Sequence, residues 1–202
     1  PRYLSLFIKK NYSCFLVLGI PMYTSAPLPG LFDVFYSVFT RASTSQLSKT
    51  WCGEGDVSGW FSKTAWSLAQ ILLWRTKQQN KKEVSLWLPD YFCNASLWPS
   101  RKLGANIFFY PVGSDMQPNY AACRQMVETN KPDIFVLVHY FGKPIPSAPA
   151  RDFCLRFGAW LVEDAAHVLR PTSGIGENGD FVVYSPHKLL AVPDGAMLVI
   201  RG

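Results

Sequence analysis

Glu163-Asp164-Ala165-Ala166-His167 and, further on, Ser185-Pro186-His187-Lys188 frame the stretch that decides the fold. The apolar run Trp160-Leu161-Val162 leads into the first, and Phe181-Val182-Val183-Tyr184 leads into the second. Between them lies the Gly-rich Ser173-Gly174-Ile175-Gly176-Glu177-Asn178-Gly179-Asp180. The order reads strand, acidic residue, loop, strand, lysine. Short continuous apolar runs bounded by turn residues are the pattern of strands buried on both faces. A lysine and a carboxylate at the ends of two such strands make a chemical pairing. The amine can capture an aldehyde as a Schiff base, and the carboxylate can keep a ring nitrogen protonated. The mostly apolar segment after Lys188 predicts that the amine is shielded, so that desolvation favours its free base. Asp164 at a strand end is open to two readings, a loop or helix cap and a buried carboxylate that needs a cation.

The same alternation continues upstream. Residues 84–88, 107–110 and 134–138 read as strands, and the first two end at Pro89 and Pro111. Residues 196–200 read as a further strand. Helices are predicted over 62–74, where Ala65, Leu68, Ala69, Leu72 and Leu73 recur at three and four, and over 95–103, 120–129 and 150–157. Gly104 and Gly158 close two of them. Strands separated by helices predict an α/β fold, a three-layer α/β/α sandwich on a mainly parallel sheet. Ligands bind such sheets at the carboxyl ends of the strands. Asp164, Cys93, His139 and Ser185 all follow apolar runs and are expected to share that crevice. Ser62-Lys63-Thr64 opens a helix, with Ser62 or a neighbour as N-cap, and a helix N-terminus suits phosphate. Ser185 offers a hydroxyl to the same group. His187, beside the lysine, reads equally as a tuning or a packing residue.

The remaining sequence sets bounds. The chain has 202 residues, a net charge of +6 and 49% hydrophobic residues, enough for a large core. Its basic residues are scattered except for Lys77, Lys81 and Lys82, a solvated helix end rather than a nucleic-acid patch. Five cysteines without a C-x-x-C pair fit a reducing, cytoplasmic setting and argue against a zinc site. The apolar run Cys14 to Ile20 is too short to span a bilayer. Residues 1–50 form a poorly readable N-terminal segment, although 31–39 fits a helix with an apolar face, and 51–60 reads poorly as a strand. Residues 51–202 read as one cofactor-binding domain. The Pro1 start and Gly202 end read as cuts in a longer protein.

These motifs resemble the DegT/DnrJ/StrS family of pyridoxal phosphate (PLP)-dependent sugar aminotransferases, of the aspartate-aminotransferase fold, from about residue 57 onward. The segment Pro89-Asp90-Tyr91-Phe92-Cys93-Asn94-Ala95 is similar to that family's Pro-x-Tyr-x-Cys-x-Ala variant. Val138-His139-Tyr140-Phe141-Gly142-Lys143-Pro144, Glu163 to His167, Gly179-Asp180-Phe181, Ser185 to Lys188 and Asp194-Gly195-Ala196 resemble further family segments in the family's order. The resemblance implies a seven-stranded sheet, with Lys188 as the Schiff-base lysine and Asp164 on the pyridine nitrogen. It implies His167 on the phenolic oxygen, and Thr64 and Ser185 on the phosphate beside Lys63, where the family often has glycine. Cys93 takes the place of an aromatic ring stacked on the cofactor. The implied reaction moves an amino group from glutamate or glutamine to a keto-sugar, within a homodimer. It also implies a C-terminal small domain, which residues 51–202 do not include. Two other readings stay open, a class V-type PLP lyase or desulfurase and a non-catalytic protein of the PLP fold.

Overall fold

The computed structural model describes residues 16–17, 20–21, 29–40 and 43–202. Most of the apolar run from Cys14 to Ile20 lies outside the described residues. Strands β1 (Leu16–Val17) and β2 (Ile20–Pro21) form a two-residue antiparallel pair. Helix α1 (Leu31–Phe39) forms where the sequence allowed one, but its apolar side chains face solvent, with Phe32 90% exposed. Helix α2 (Thr44–Ser48) packs inward at its end, where the Ser48 hydroxyl accepts from the Trp60 indole N–H at 3.0 Å.

The main sheet has seven strands in the order β3-β9-β8-β7-β6-β4-β5. They are β3 (Val57–Phe61), β4 (Ser85–Pro89), β5 (Asn106–Tyr110), β6 (Ile134–Val138), β7 (Trp160–Ala165), β8 (Phe181–Tyr184) and β9 (Ala196–Ile200). Strands β5, β4, β6, β7 and β8 pair in parallel, and β9 runs against both β8 and β3. The mainly parallel sheet is thus as expected, with a single reversed strand. The unexpected strand is β3, inside a stretch with almost no alternating pattern. It is an edge strand, its residues are only half-buried or exposed, and its register comes from β9, with Gly59 opposite Leu198.

Helices cover both faces. On one face Leu68, Ile71 and Leu72 of α3 (Thr64–Gln79) meet Leu86, Leu88, Val136 and Val162. On the other, α5 (Tyr120–Val127) and α6 (Ala148–Phe157) bring Cys123, Val127, Phe153 and Cys154 against Trp87, Phe135 and Leu161. Side chains alternate across a strand, so Trp87 faces away from Leu86 and Leu88, and this three-residue run serves both cores. The helix predicted over 95–103 is instead a 3₁₀ turn (Asn94–Leu97) followed by the short α4 (Trp98–Lys102). Pro99 at its start carries no amide hydrogen to continue the preceding turn.

The chain passes from β4 outward to β5 and then returns to β6 on the other side of β4. Strand order therefore reverses between β4 and β6, where an open α/β sheet forms its binding crevice. The Tyr140 hydroxyl donates to the Tyr91 carbonyl at 2.7 Å and joins the loops after these two strands.

Candidate active site

A cavity of about 290 Å³ opens at the carboxyl ends of the strands. Its walls come from the segment after β4 (Tyr91, Phe92, Cys93, Ser96), the end of β6 and its loop (Val138, Tyr140, Phe141), β7 and its turn (Asp164, Ala166, His167), Lys188 after β8, and Thr64 at the start of α3. The parallel register, Val138 beside Asp164 and Asp164 beside Val183, brings these loops level.

Asp164 is buried, 9% exposed. Its Oδ1 accepts the Ala166 N–H at 2.9 Å; its other oxygen accepts no hydrogen bond among the described residues. No described cation pairs with it. Burial raises its carboxyl above the usual range, against the pull of the Ala166 N–H, Lys188 and His167. A carboxylate in that position is complementary to a cationic ring nitrogen.

Lys188 ends a 3₁₀ turn (Pro186–Lys188) and is exposed at the cavity mouth. The expected shielding is therefore corrected. The segment after Lys188 stays at the surface, with Leu189 and Val192 40% and 45% exposed. Its one described side-chain hydrogen-bond partner is His167, whose Nε2 lies 3.3 Å from Nζ. Burial, and then the Lys188 charge, lower the His167 imidazole below its ordinary value. The Cys93 thiol is lowered too, first by a hydrogen bond from Ser96 and in smaller part by Lys188.

Three expected neighbours stand elsewhere. His139 is fully buried: its Nδ1 accepts the Ile145 N–H at 3.0 Å, so Nε2 carries the proton and donates to Glu163 at 2.8 Å. It braces the fold and does not enter the cavity. Ser185 is also fully buried, its hydroxyl 3.1 Å from Nδ1 of His187. It is not among the residues that line the cavity. Lys63, the neighbour of Ser62, is the N-cap of α3, and its exposed side chain lies outside the cavity walls. Thr64, Cys93, Asp164, His167 and Lys188 do come together there.

Tyr91, Phe92, Tyr140 and Phe141 were not singled out in the sequence. All four lie within the quoted segments after β4 and β6. A histidine draws attention as a chemical group, yet here its neighbours line the cavity. The conformation of the loop, with Phe141 and Gly142 both at positive φ, turns His139 inward and Phe141 outward.

Glu163 organises the surroundings. Its two oxygens accept from His139 Nε2 and from the backbone N–H groups of Gly176, Asn178 and Gly179 at 2.6 to 2.8 Å. The Gly-rich loop therefore wraps a carboxylate of the protein itself. A Cβ at Gly179 would lie 2.7 Å from the Phe181 carbonyl oxygen and 3.1 Å from Glu163 Cγ, so glycine is required for the approach.

Solved structures share the fold. DesI, determined in the presence of its TDP-sugar product, superposes with a TM-score of 0.60 at 21% identity, over 78% of this chain and 40% of its own. Spr1654 from Streptococcus pneumoniae, solved in PLP and PMP forms, gives 0.60 at 19% identity, over 78% and 44%. A Burkholderia pseudomallei sphingosine-1-phosphate lyase gives 0.60 at 15%, over 73% and 39%. The chain thus spans well under half the length of each. No curated protein matches the sequence. Residues 88–202, more than half of the chain, match the DegT/DnrJ/EryC1/StrS aminotransferase family, and the chain belongs to that family.

Proposed function

We propose that this chain holds pyridoxal 5'-phosphate in the cavity and belongs to an aminotransferase that moves an amino group from glutamate or glutamine to a nucleotide-linked keto-sugar. The observation that carries the reading is Asp164, a buried carboxylate with no described cation partner, set in the same cavity as Lys188. When bound, the cofactor supplies an electron sink that stabilises a carbanion next to nitrogen. Lys188 offers the amine that holds the aldehyde and carries a proton to and from the reacting carbon. Asp164 holds a proton on the ring nitrogen. Thr64 offers a hydroxyl and a helix N-terminus to the phosphate. Phe92 and Cys93 form the wall on the side where the family commonly has a stacked ring. The sugar class is supported by the family and by DesI and its TDP-sugar product. The exposed rings of Tyr91 and Phe141 at the mouth are surface that a second copy of the chain would cover. The second reading is a class V-type lyase or desulfurase on the same cofactor, and the fold is compatible with lyases, since one solved structure that shares it is a lyase. Amino-group transfer to a keto-sugar, followed by mass spectrometry, separates the two. The cofactor assignment itself is tested by borohydride reduction of the PLP-loaded chain and peptide mapping. The pyridoxyl label is expected on Lys188, and a label on any other lysine overturns the reading.

Asp164→Asn separates binding from stability. It keeps the acceptor for the Ala166 N–H and removes the charge opposite the ring nitrogen. PLP affinity is expected to fall by about 1.5–3 kcal/mol, the worth of a charge-assisted hydrogen bond. The ligand-free chain is expected to gain stability at neutral pH. A carboxyl raised by burial costs stability above its folded value, and the cost is relieved as pH falls through that value. Absorbance titration with PLP and thermal melts at neutral and acid pH check both signs. A variant that melts lower at neutral pH contradicts the account.

A further inference from the structure

His187 is half-buried and is not among the residues that line the cavity, although Lys188 beside it is. Both belong to the connection from β8 to the antiparallel β9, where Tyr184 stands opposite Met197. Several hydrogen bonds of that connection are local. The N–H groups of Lys188, Leu189 and Leu190 reach back to Ser185 or Pro186, and that of Val192 reaches Leu190. Gly195 ties the connection more widely. Its N–H donates to the Ser62 carbonyl at 2.9 Å. Its own carbonyl accepts from His187 Nδ1 at 2.8 Å and from the His187 N–H at a longer 3.4 Å. Gly195 has φ 138°, a conformation that other residues rarely adopt.

A carbonyl oxygen has no proton to give, so Nδ1 is the donor in the neutral and in the charged ring alike. The Ser185 hydroxyl, 3.1 Å from the same nitrogen, stands where it can share that proton. Ser62 comes directly before Lys63, the N-cap of α3, and Thr64, which lines the cavity. A run of bonds therefore leads from the imidazole beside Lys188, through Gly195, to the helix start on the same cavity.

We propose that His187 is a positioning residue: its Nδ1–H closes the Lys188 loop on Gly195 and so sets the span between the Lys188 amine and the Thr64 end of α3. That span matters for a ligand with an aldehyde for the amine and a phosphate for the helix start, since misplacement by about 1 Å can cost about a hundredfold. The inference rests on the proposed cofactor reading, with Lys188 and Thr64 at its two ends. Wild type, His187→Ala and His187→Asn are each titrated with PLP and with pyridoxal, which lacks the phosphate. Borohydride reduction and peptide mapping read the label at Lys188. Comparing the preference for PLP between variants cancels each aldehyde's own reactivity. The preference is expected to fall about fivefold in His187→Ala, about 1 kcal/mol for one hydrogen bond. It is expected to return in His187→Asn, whose amide N–H can stand where Nδ1–H does. A general loss of stability would lower both captures together and leave the preference unchanged. An unchanged preference in His187→Ala, or no recovery in His187→Asn, overturns the proposal. Hydrogen exchange at the Gly195 N–H, read by NMR on the chain without cofactor, tests the tie directly. Exchange is expected to quicken in His187→Ala and not in His187→Asn; equal exchange in all three overturns the tie. A wild type without label at Lys188 overturns the cofactor reading instead, and the exchange rates then still decide whether His187 holds the loop.

Discussion

Glu163→Gln is expected to cost the fold about 2–6 kcal/mol, about 1–3 kcal/mol for each of two buried donors left unsatisfied. The carboxylate accepts four hydrogen bonds, two at each oxygen. An amide has one acceptor oxygen, so its NH₂ would meet two donors with nothing to offer them. His139 Nε2 and the Gly-rich loop would lose their anchor together. Burial pulls the Glu163 carboxyl upward, but His139 and the N–H groups of Asn178 and Gly176 outweigh it and hold the group below its ordinary value. The folded value is thus the lower one. Its contribution is complete above about pH 4.3, the value of an unfolded glutamate, and is lost as pH falls through the folded value. Urea unfolding of the wild type and the variant at neutral and acid pH is the check. The gap between them should be wide at neutral pH and narrow on acidification. A gap under about 1 kcal/mol at neutral pH, the worth of an ordinary hydrogen bond, would show that the carboxylate's charge does not hold the loop.

Lys188→Ala is expected to abolish covalent retention of PLP altogether while leaving stability within about 0.5 kcal/mol, the usual range for a surface change. The residue is exposed and its one described side-chain hydrogen bond is with His167. Loss of a positioned proton-transfer group costs about 10²–10⁴ in rate, so any amino transfer by the PLP-loaded protein should fall at least that far. Intact-mass measurement after borohydride treatment, paired with a thermal melt, reads both effects. A variant that still retains a pyridoxyl group would transfer the role to another lysine.

The sheet was readable because its inner strands are buried on both faces. Residues 134–138 and 196–200 contain no polar residue, and the structure places β6 and β9 over those spans. Helix α3 was readable from its three-and-four spacing, and the end of α6 from Gly158, which closes it at φ 71°. The ends were less so. Helix α3 runs on to Gln79, where Asn80 takes the left-handed conformation that stops it. Strand β3 was missed because an edge strand with half-buried residues carries little alternation, and long-range pairing with β9 settles it.

The sequence by itself determined the order of the strands along the chain, the sheet edge where chemistry gathers, and the placement of Asp164 and Lys188 at that edge. These follow from local apolar runs and from the rule that parallel crossovers send every strand end the same way. Tertiary structure alone decided which polar residues reach the cavity. His139 and Ser185 both follow strands, as Asp164 does, yet one turns to Glu163 and the other to His187, while Phe141 turns outward over His167. The direction of a side chain in a loop depends on backbone torsions set by distant partners, here a buried carboxylate and two residues at positive φ. Exposure of Lys188 was decided in the same way, because burial is a property of what packs against a residue and not of the apolar residues beside it in sequence.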